Sequence, residues 1–549
     1  MGVSNFIKSR LMPEGAATLP VMVKMTTKEK WRVVGGMFAG KMIGLFLVLV
    51  AIGFAPAILM GTPVHAQSPN WTPHETTLIN TANTIWTLVA AFLVFGMQPG
   101  FVFLEAGFAR KRETVNVLME CIFDTCICGI LFWGIGYAFM FGQGNGFIGW
   151  GGGALAGGDA KPWFFLQNIP ETYGATGVPI MAHWIFQFAF ADTTSTVTSG
   201  AMIGRTSFRG DILYSIGVTG FIYPIIGHWA WGPDGWLALM GSKDHFFPGL
   251  GQNFRDFAGS TVVHTIGGMV SLAGAIVLGP RLGRVFKRDG GGMPAPHNLT
   301  IAAVGGFILW FGWYGFNPGS TLSAVDMQGI GRVATNTTLA ACAAGISAMY
   351  LALWFGDTKG KFDLGYTTNG FLGGLVAITC PCYWVSPLGA ILLGLIAGIV
   401  VYLVLNLLEY LRIDDPIGAV AVHGGCGIWG TLSLGLFASG QYGITGPTGP
   451  DNSAPVTGLF YGGGVGVLEA QFIGSAVITL GTFSVALILM WVIKQLPYPW
   501  KLRVEPHGET GTGGLDLFEH GTEAYPSNEA GAGGIDIFEH GVQAYPSQA

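Results

Sequence analysis

Between residues 77 and 494 the chain alternates between long apolar runs and short polar joints. Eleven runs are long enough to cross about 30 Å of hydrocarbon at about 1.5 Å per helical residue. They cover roughly 77–108, 114–142, 180–202, 210–231, 256–280, 298–320, 332–356, 367–386, 388–410, 415–438 and 466–494. The pattern predicts an all-α polytopic membrane protein with eleven transmembrane helices. Two of the runs carry one spacing. Asp256, Gly259, Val263, His264 and Gly268 recur as Asp415, Gly418, Val422, His423 and Gly427, giving D-x-x-G-x-x-x-V-H-x-x-x-G in spans five and ten. Units offset by five spans insert in opposite senses, so the repeat reads as five plus five and inverted, with a pathway expected at the repeat interface. An Asp and a His inside a membrane span are costly, and twin histidines at equivalent depths of such a repeat are placed to meet in a pore.

Composition agrees with this pattern. Half of the 549 residues are hydrophobic, 10% are charged, and 88 are glycine, which suits close helix packing through small residues. Mean hydropathy is +0.51. The net charge of -5 leaves no basic footprint for nucleic acid. Basic residues set an orientation. Joints after odd-numbered spans, together with the tail, hold fifteen Lys and Arg, among them Arg110, Arg205, Arg281, Arg412 and Lys501. The other side holds four: Lys161, Lys243, Arg255 and Arg332. The mature N-terminus is therefore expected outside the cell membrane (the inner membrane) and the C-terminus in the cytoplasm.

Upstream, Lys24, Lys28, Lys30 and Arg32 precede an apolar stretch that ends before Val64-His65-Ala66. Residues 1–66 read as a signal peptide with an extended basic region and a start at Met1, Met25 or Met37; the other reading is an uncleaved first helix. The transmembrane domain then covers 67–496 and a tail 497–549. Within the tail, GETGTGGLDLFEHGTEAYPS (508–527) is followed by NEAGAGGIDIFEHGVQAYPS (528–547), a tandem duplication. The seven cysteines lack zinc-site spacing and read as buried small residues, with a Cys380–Cys382 disulfide left open. No nucleophile–base or metal constellation points to an enzyme or a cofactor.

DFAGSTVVHTIGG, FQFAFA (186–191), WFGWYGFNPGS (310–320) and DPIGAVAVHGGCGIWG (415–430) resemble the ammonium transporter family (Amt/Mep/Rh), on its Amt side. The likeness runs from about residue 75 into the tail. It implies a homotrimer with one narrow pore per subunit, carrying ammonium or ammonia, and a tail that couples to a PII-type signal protein on the cytoplasmic face. It also implies an external recruitment site at Trp231, Phe186 and Ser320, a phenyl gate at Phe190 and Phe316, and pore histidines at His264 and His423. Asp256 has a structural or electrostatic role, helix capping included; an ideal helix would set it about 12 Å outward of His264. The implied mechanism is capture of ammonium, deprotonation, passage of NH₃ and relay of the proton along the histidines. A receptor that reports ammonium through its tail is the alternative. Two departures stand out: Gly204 replaces the Glu usual before Arg205, which removes an expected salt link, and Asp192 is an unusual acid two residues past Phe190, read as a cap or helix contact or as a modifier of pore electrostatics.

Overall fold

The computed structural model describes residues 72–152, 161–293, 296–356, 360–442, 455–511 and 514–524. The expected leader and the second tail copy lie outside these residues. The described chain is mostly helical. Among the described residues, nine helices are long and apolar enough to cross a membrane: α1 (Pro73–Phe108), α2 (Lys111–Phe141), α4 (Phe208–Trp231), α5 (Ser260–Leu278), α6 (Leu299–Thr321), α7 (Met327–Phe355), α9 (Pro387–Leu411), α10 (Val420–Phe437) and α11 (Gly466–Lys494). The remaining two expected spans are also helices, α3 (Ile180–Gly200) and α8 (Leu364–Thr379), but by length and composition they fall short. The reason is burial. α3 carries the polar run Asp192–Ser199 wholly inside the protein, where neighbouring helices replace lipid. At 16 residues α8 is short, and from Thr368 to Thr379 it too is buried throughout.

Burial also separates centre from periphery. The apolar stretch of α5 is 89% buried and that of α11 only 28%. α5 is therefore enclosed by protein, whereas α11 presents most of its surface outward. Helix starts follow short polar caps. Thr72 and Glu75 form a capping box ahead of α1, Ser386 accepts from Gly389 N–H at the start of α9, and Asp363 accepts from Tyr366 N–H at the start of α8. Among the described residues between α2 and α3 lie five short strands, β1 (Gln143–Asn145), β2 (Ile148–Gly152), β3 (Lys161–Pro162), β4 (Thr172–Tyr173) and β5 (Val178–Pro179). They pair antiparallel as β1-β2-β3 and β4-β5.

The end of the bundle nearest the tail is locked by charges. Arg281 grips Asp414 through Nε (2.8 Å) and Nη2 (2.9 Å), and Arg284 reaches both Asp414 and Glu409. Arg205 is fully buried and donates to three carbonyls, those of Gly279, Ile203 and Asp414. The salt link put in doubt by Gly204 has a replacement. Glu113 is buried, pairs with Arg110, and stands where a side chain on residue 204 would begin, its Oε1 lying 2.6 Å from that Cβ position. The carboxylate is present; a different residue supplies it.

All seven cysteines are free thiols, so the open Cys380–Cys382 pairing is absent; Cys126 and Cys342 are exposed rather than buried. Asp192 caps nothing. Its carboxylate is buried against the side chains of Thr125 in α2 and Gln98 in α1, the helix contact among the expected roles.

Candidate functional site

Each copy of the repeated motif builds the same device. Asp256 stands outside helix α5 and receives four backbone N–H groups, from Gly259 and Ser260 on Oδ1 (both 3.0 Å) and from Thr261 (2.8 Å) and Val262 (2.9 Å) on Oδ2. Asp415 receives three in the same order, from Gly418, Ala419 and Val420. The first glycine of each motif, Gly259 at φ 114° and Gly418 at φ 85°, takes the left-handed turn that brings those amides round to the carboxylate. Both helices then open with a π-helical turn, Ser260–Thr265 and Val420–Gly425, and each turn contains its histidine. The last glycine of each motif sits where α5 and α10 cross. A Cβ on Gly268 would lie 2.3 Å from Gly424 N, and one on Gly427 would lie 2.4 Å from Thr265 Oγ1. Side chains there would force the helices apart. Because Asp256 to Gly259 are not helical, the expected 12 Å ideal-helix rise from Asp256 to His264 does not apply; only the stretch from Ser260 onward rises as helix.

At the crossing, His264 Nδ1 and His423 Nδ1 lie 3.2 Å apart. His264 is fully enclosed and its Nε2 has no partner. A column of rings leads to the pair. Phe186 and Phe190 have centroids 4.7 Å apart, Phe190 stacks on Phe316 at 4.0 Å, and Phe316 lies 5.3 Å from His264. Phe190, which stacks on Phe316, lines a vestibule of about 790 Å³ together with Trp231, Phe186, Asp256 and Ser320. Trp231 is fixed in two ways: its Nε1 donates to the Asp256 carbonyl at 2.7 Å, and its ring meets Phe190 edge-on at 6.1 Å. Ser320 donates its proton to Phe316 O at 2.8 Å, which leaves the hydroxyl lone pairs as acceptors. All eight residues singled out in the sequence thus fall along one line from vestibule to histidine pair.

Two neighbours of this line were missed. Trp313 stacks on His264 at 5.1 Å and is held by Thr379 through its Nε1. His183, buried in the vestibule wall, stacks on Tyr173 at 3.8 Å and meets Tyr137 OH at 2.8 Å and Gln187 at 3.2 Å. Each stands three residues before a phenylalanine already singled out, Phe316 and Phe186, and helical spacing puts it on the same face. That spacing was the available signal.

An inverted pair of capped helices, crossing inside a mostly helical bundle beside an aromatic vestibule, defines a multi-pass membrane protein. A sequence profile described as Ammonium Transporter Family matches residues 85–525. Ammonium transporter Amt2 of Archaeoglobus fulgidus is 41% identical over 446 residues, covering 81% of this chain and 88% of that protein. Ammonium transporter 1 member 1 of Arabidopsis thaliana is 37% identical, covering 77% and 81%. Among solved structures, a sensor Amt protein superimposes with a TM-score of 0.68 at 33% identity over 81% of this chain and 99% of its own. Saccharomyces cerevisiae Mep2 does so with a TM-score of 0.68 at 26% identity, over 81% and 94%. The chain belongs to the ammonium transporter family.

Proposed function

We propose that this protein carries ammonium across the cell membrane, taking the ion up on the vestibule side and passing it inward as NH₃ and a separate proton. The observation that carries the reading is the His264–His423 contact at 3.2 Å, beneath the closed Phe190–Phe316 stack. A compact cation between Trp231 and Phe186 gains about 2 kcal/mol or more from the ring faces once desolvated. Ser320 accepts an N–H bond from it, which potassium cannot offer. Between the apolar rings a bare ion faces a desolvation cost of many kcal/mol, whereas NH₃ does not. At the gate the ion gives one N–H proton to the neutral histidine pair, directly or through one water, so NH₃ and an imidazolium form together; NH₃ moves on between the rings and the proton passes from one imidazole to the other. Paired rings suit this step because one nitrogen donates while the other accepts.

The protein works as a homotrimer in the inner membrane, with the vestibule outside and the tail in the cytoplasm, where a PII-type signal protein engages it. The orientation rests on the fifteen-to-four bias of basic residues.

Current in proteoliposomes tests the mechanism. An ammonium pulse should give an inward positive current that saturates with concentration and shifts with pH, and potassium should give none. Uptake of label without charge movement would contradict the relay and leave a neutral gas channel. No uptake at all would contradict transport and favour a receptor.

A further inference from the structure

The first tail copy holds the bundle by three polar grips. Glu509 accepts from Arg503 Nη2 at 2.7 Å and from the backbone N–H of Leu282, just past α5. Asp516, in the short helix α13 (Gly514–His520) that follows α12 (Pro506–Thr510), accepts the backbone N–H of Asn116 at 3.0 Å. That amide belongs to the first α-turn of α2, which begins at Thr114 and gets no side-chain cap from Glu113. The tail thus caps a helix some 400 residues away in sequence. His520 Nε2 meets Asn116 Oδ1 at 3.0 Å, and its ring packs edge-on against Phe208. Leu515 is fully buried, and Gly514, at φ 57°, passes so close to Arg112 that a Cβ would fall 2.7 Å from its Cγ.

Each of these tail positions recurs twenty residues later. Glu529, Asp536 and His540 stand at the sequence positions of Glu509, Asp516 and His520, Gly534 at that of Gly514, and Ile535 and Phe538 at those of Leu515 and Phe518. We propose that residues 529–540 are a second ligand for this same groove, filling it when the first copy is off. Two features rank it below the first. Asn528 replaces Gly508, where a Cβ would lie 2.6 Å from the Phe518 ring, so the matching Phe538 has to shift. The connecting chain from Val504 also grows from about 12 to about 32 residues, which lowers the effective concentration about fourfold. The groove therefore holds the first copy at rest and has a weaker understudy tethered beside it.

Hydrogen exchange at 112–118 reads groove occupancy directly, because the Asn116 amide has no acceptor within its own helix. Three full-length variants suffice: Glu509→Ala/Asp516→Ala/His520→Ala, Glu529→Ala/Asp536→Ala/His540→Ala, and all six together. Protection should be unchanged in the second, reduced by less than about tenfold in the first, and lost only in the third. Adding Asn528→Gly to the first variant should restore part of the protection. If the first variant exchanges as fast as the six-fold one and Asn528→Gly adds nothing, the second copy does not use the groove. The readout is independent of flux, so failure of the transport reading would not be mistaken for failure here.

Discussion

At the scale of single residues, His264 and His423 carry different burdens. His264 lies between the Phe316 and Trp313 rings and the second imidazole, whereas His423 is slightly open to solvent. Alanine at either position removes one half of the proposed relay. Ammonium-driven current in proteoliposomes should fall on the order of a hundredfold, the usual worth of a positioned proton-transfer group; undiminished current in both variants would contradict the relay. Asp414 is a residue of another kind. Burial disfavours its charge, but the Arg281 hydrogen bonds, with the Arg281 and Arg205 charges, outweigh burial and hold it well below its ordinary 3.8. A carboxylate depressed in this way contributes stability that is fully present above pH ~3.8 and is lost only as pH falls through the lower folded value. Thermal unfolding of the purified protein should therefore show no pH dependence from Asp414 between pH 5 and 8. Asp414→Asn, which leaves Arg281 buried without its counter-charge, should cost about 3–5 kcal/mol.

At the scale of the helix, the repeated cap is the unit that matters. Asp256→Ala leaves four backbone N–H groups at the start of α5 without their carboxylate acceptor, and loss of an ordinary cap already costs about 0.5–2 kcal/mol. The same change loosens the backbone carbonyl that orients Trp231. Assembly yield and ammonium uptake, measured together for Asp256→Ala and Asp256→Glu, separate the roles. An intact but inactive alanine variant points to the field of the carboxylate, recovery of both by glutamate points to capping, and full uptake by alanine would contradict both. The aspartates, histidines and glycines of α5 and α10 were legible in sequence because a thirteen-residue spacing written twice is a local signal. Glu113 standing in for residue 204 was not, because ninety residues of chain separate a vacancy from the side chain that fills it. The buried Asp192–Ser199 run of α3 was read as a span from its flanks, yet its polarity makes sense only once the surrounding helices are in place.

At the scale of the whole molecule, the tail ties the starts of α2 and α4 to the end of α5. Deleting 528–549 should leave ammonium current nearly intact at matched membrane abundance, since the first copy already occupies the groove. Deleting 508–549 should impair both current and its regulation. Loss of activity from the shorter deletion alone would mean that the second copy is the working one. None of these long-range grips shows as periodicity; the family resemblance of the tail and its duplication hinted that the segment has a place to dock. The two capped helices have a further consequence for the pathway they enclose. α5 begins at the vestibule and α10 at the opposite face, so each mouth meets the positive end of a helix macrodipole, equivalent to about half an elementary charge. The aspartate at each mouth reverses that sign, leaving a net of roughly half a negative charge. Replacing either aspartate by asparagine swings its mouth through a full unit, from weakly attracting cations to weakly repelling them. Asp256→Asn should thus slow entry from outside, and Asp415→Asn should slow exit of the relayed proton, each more severely at low ionic strength than at high.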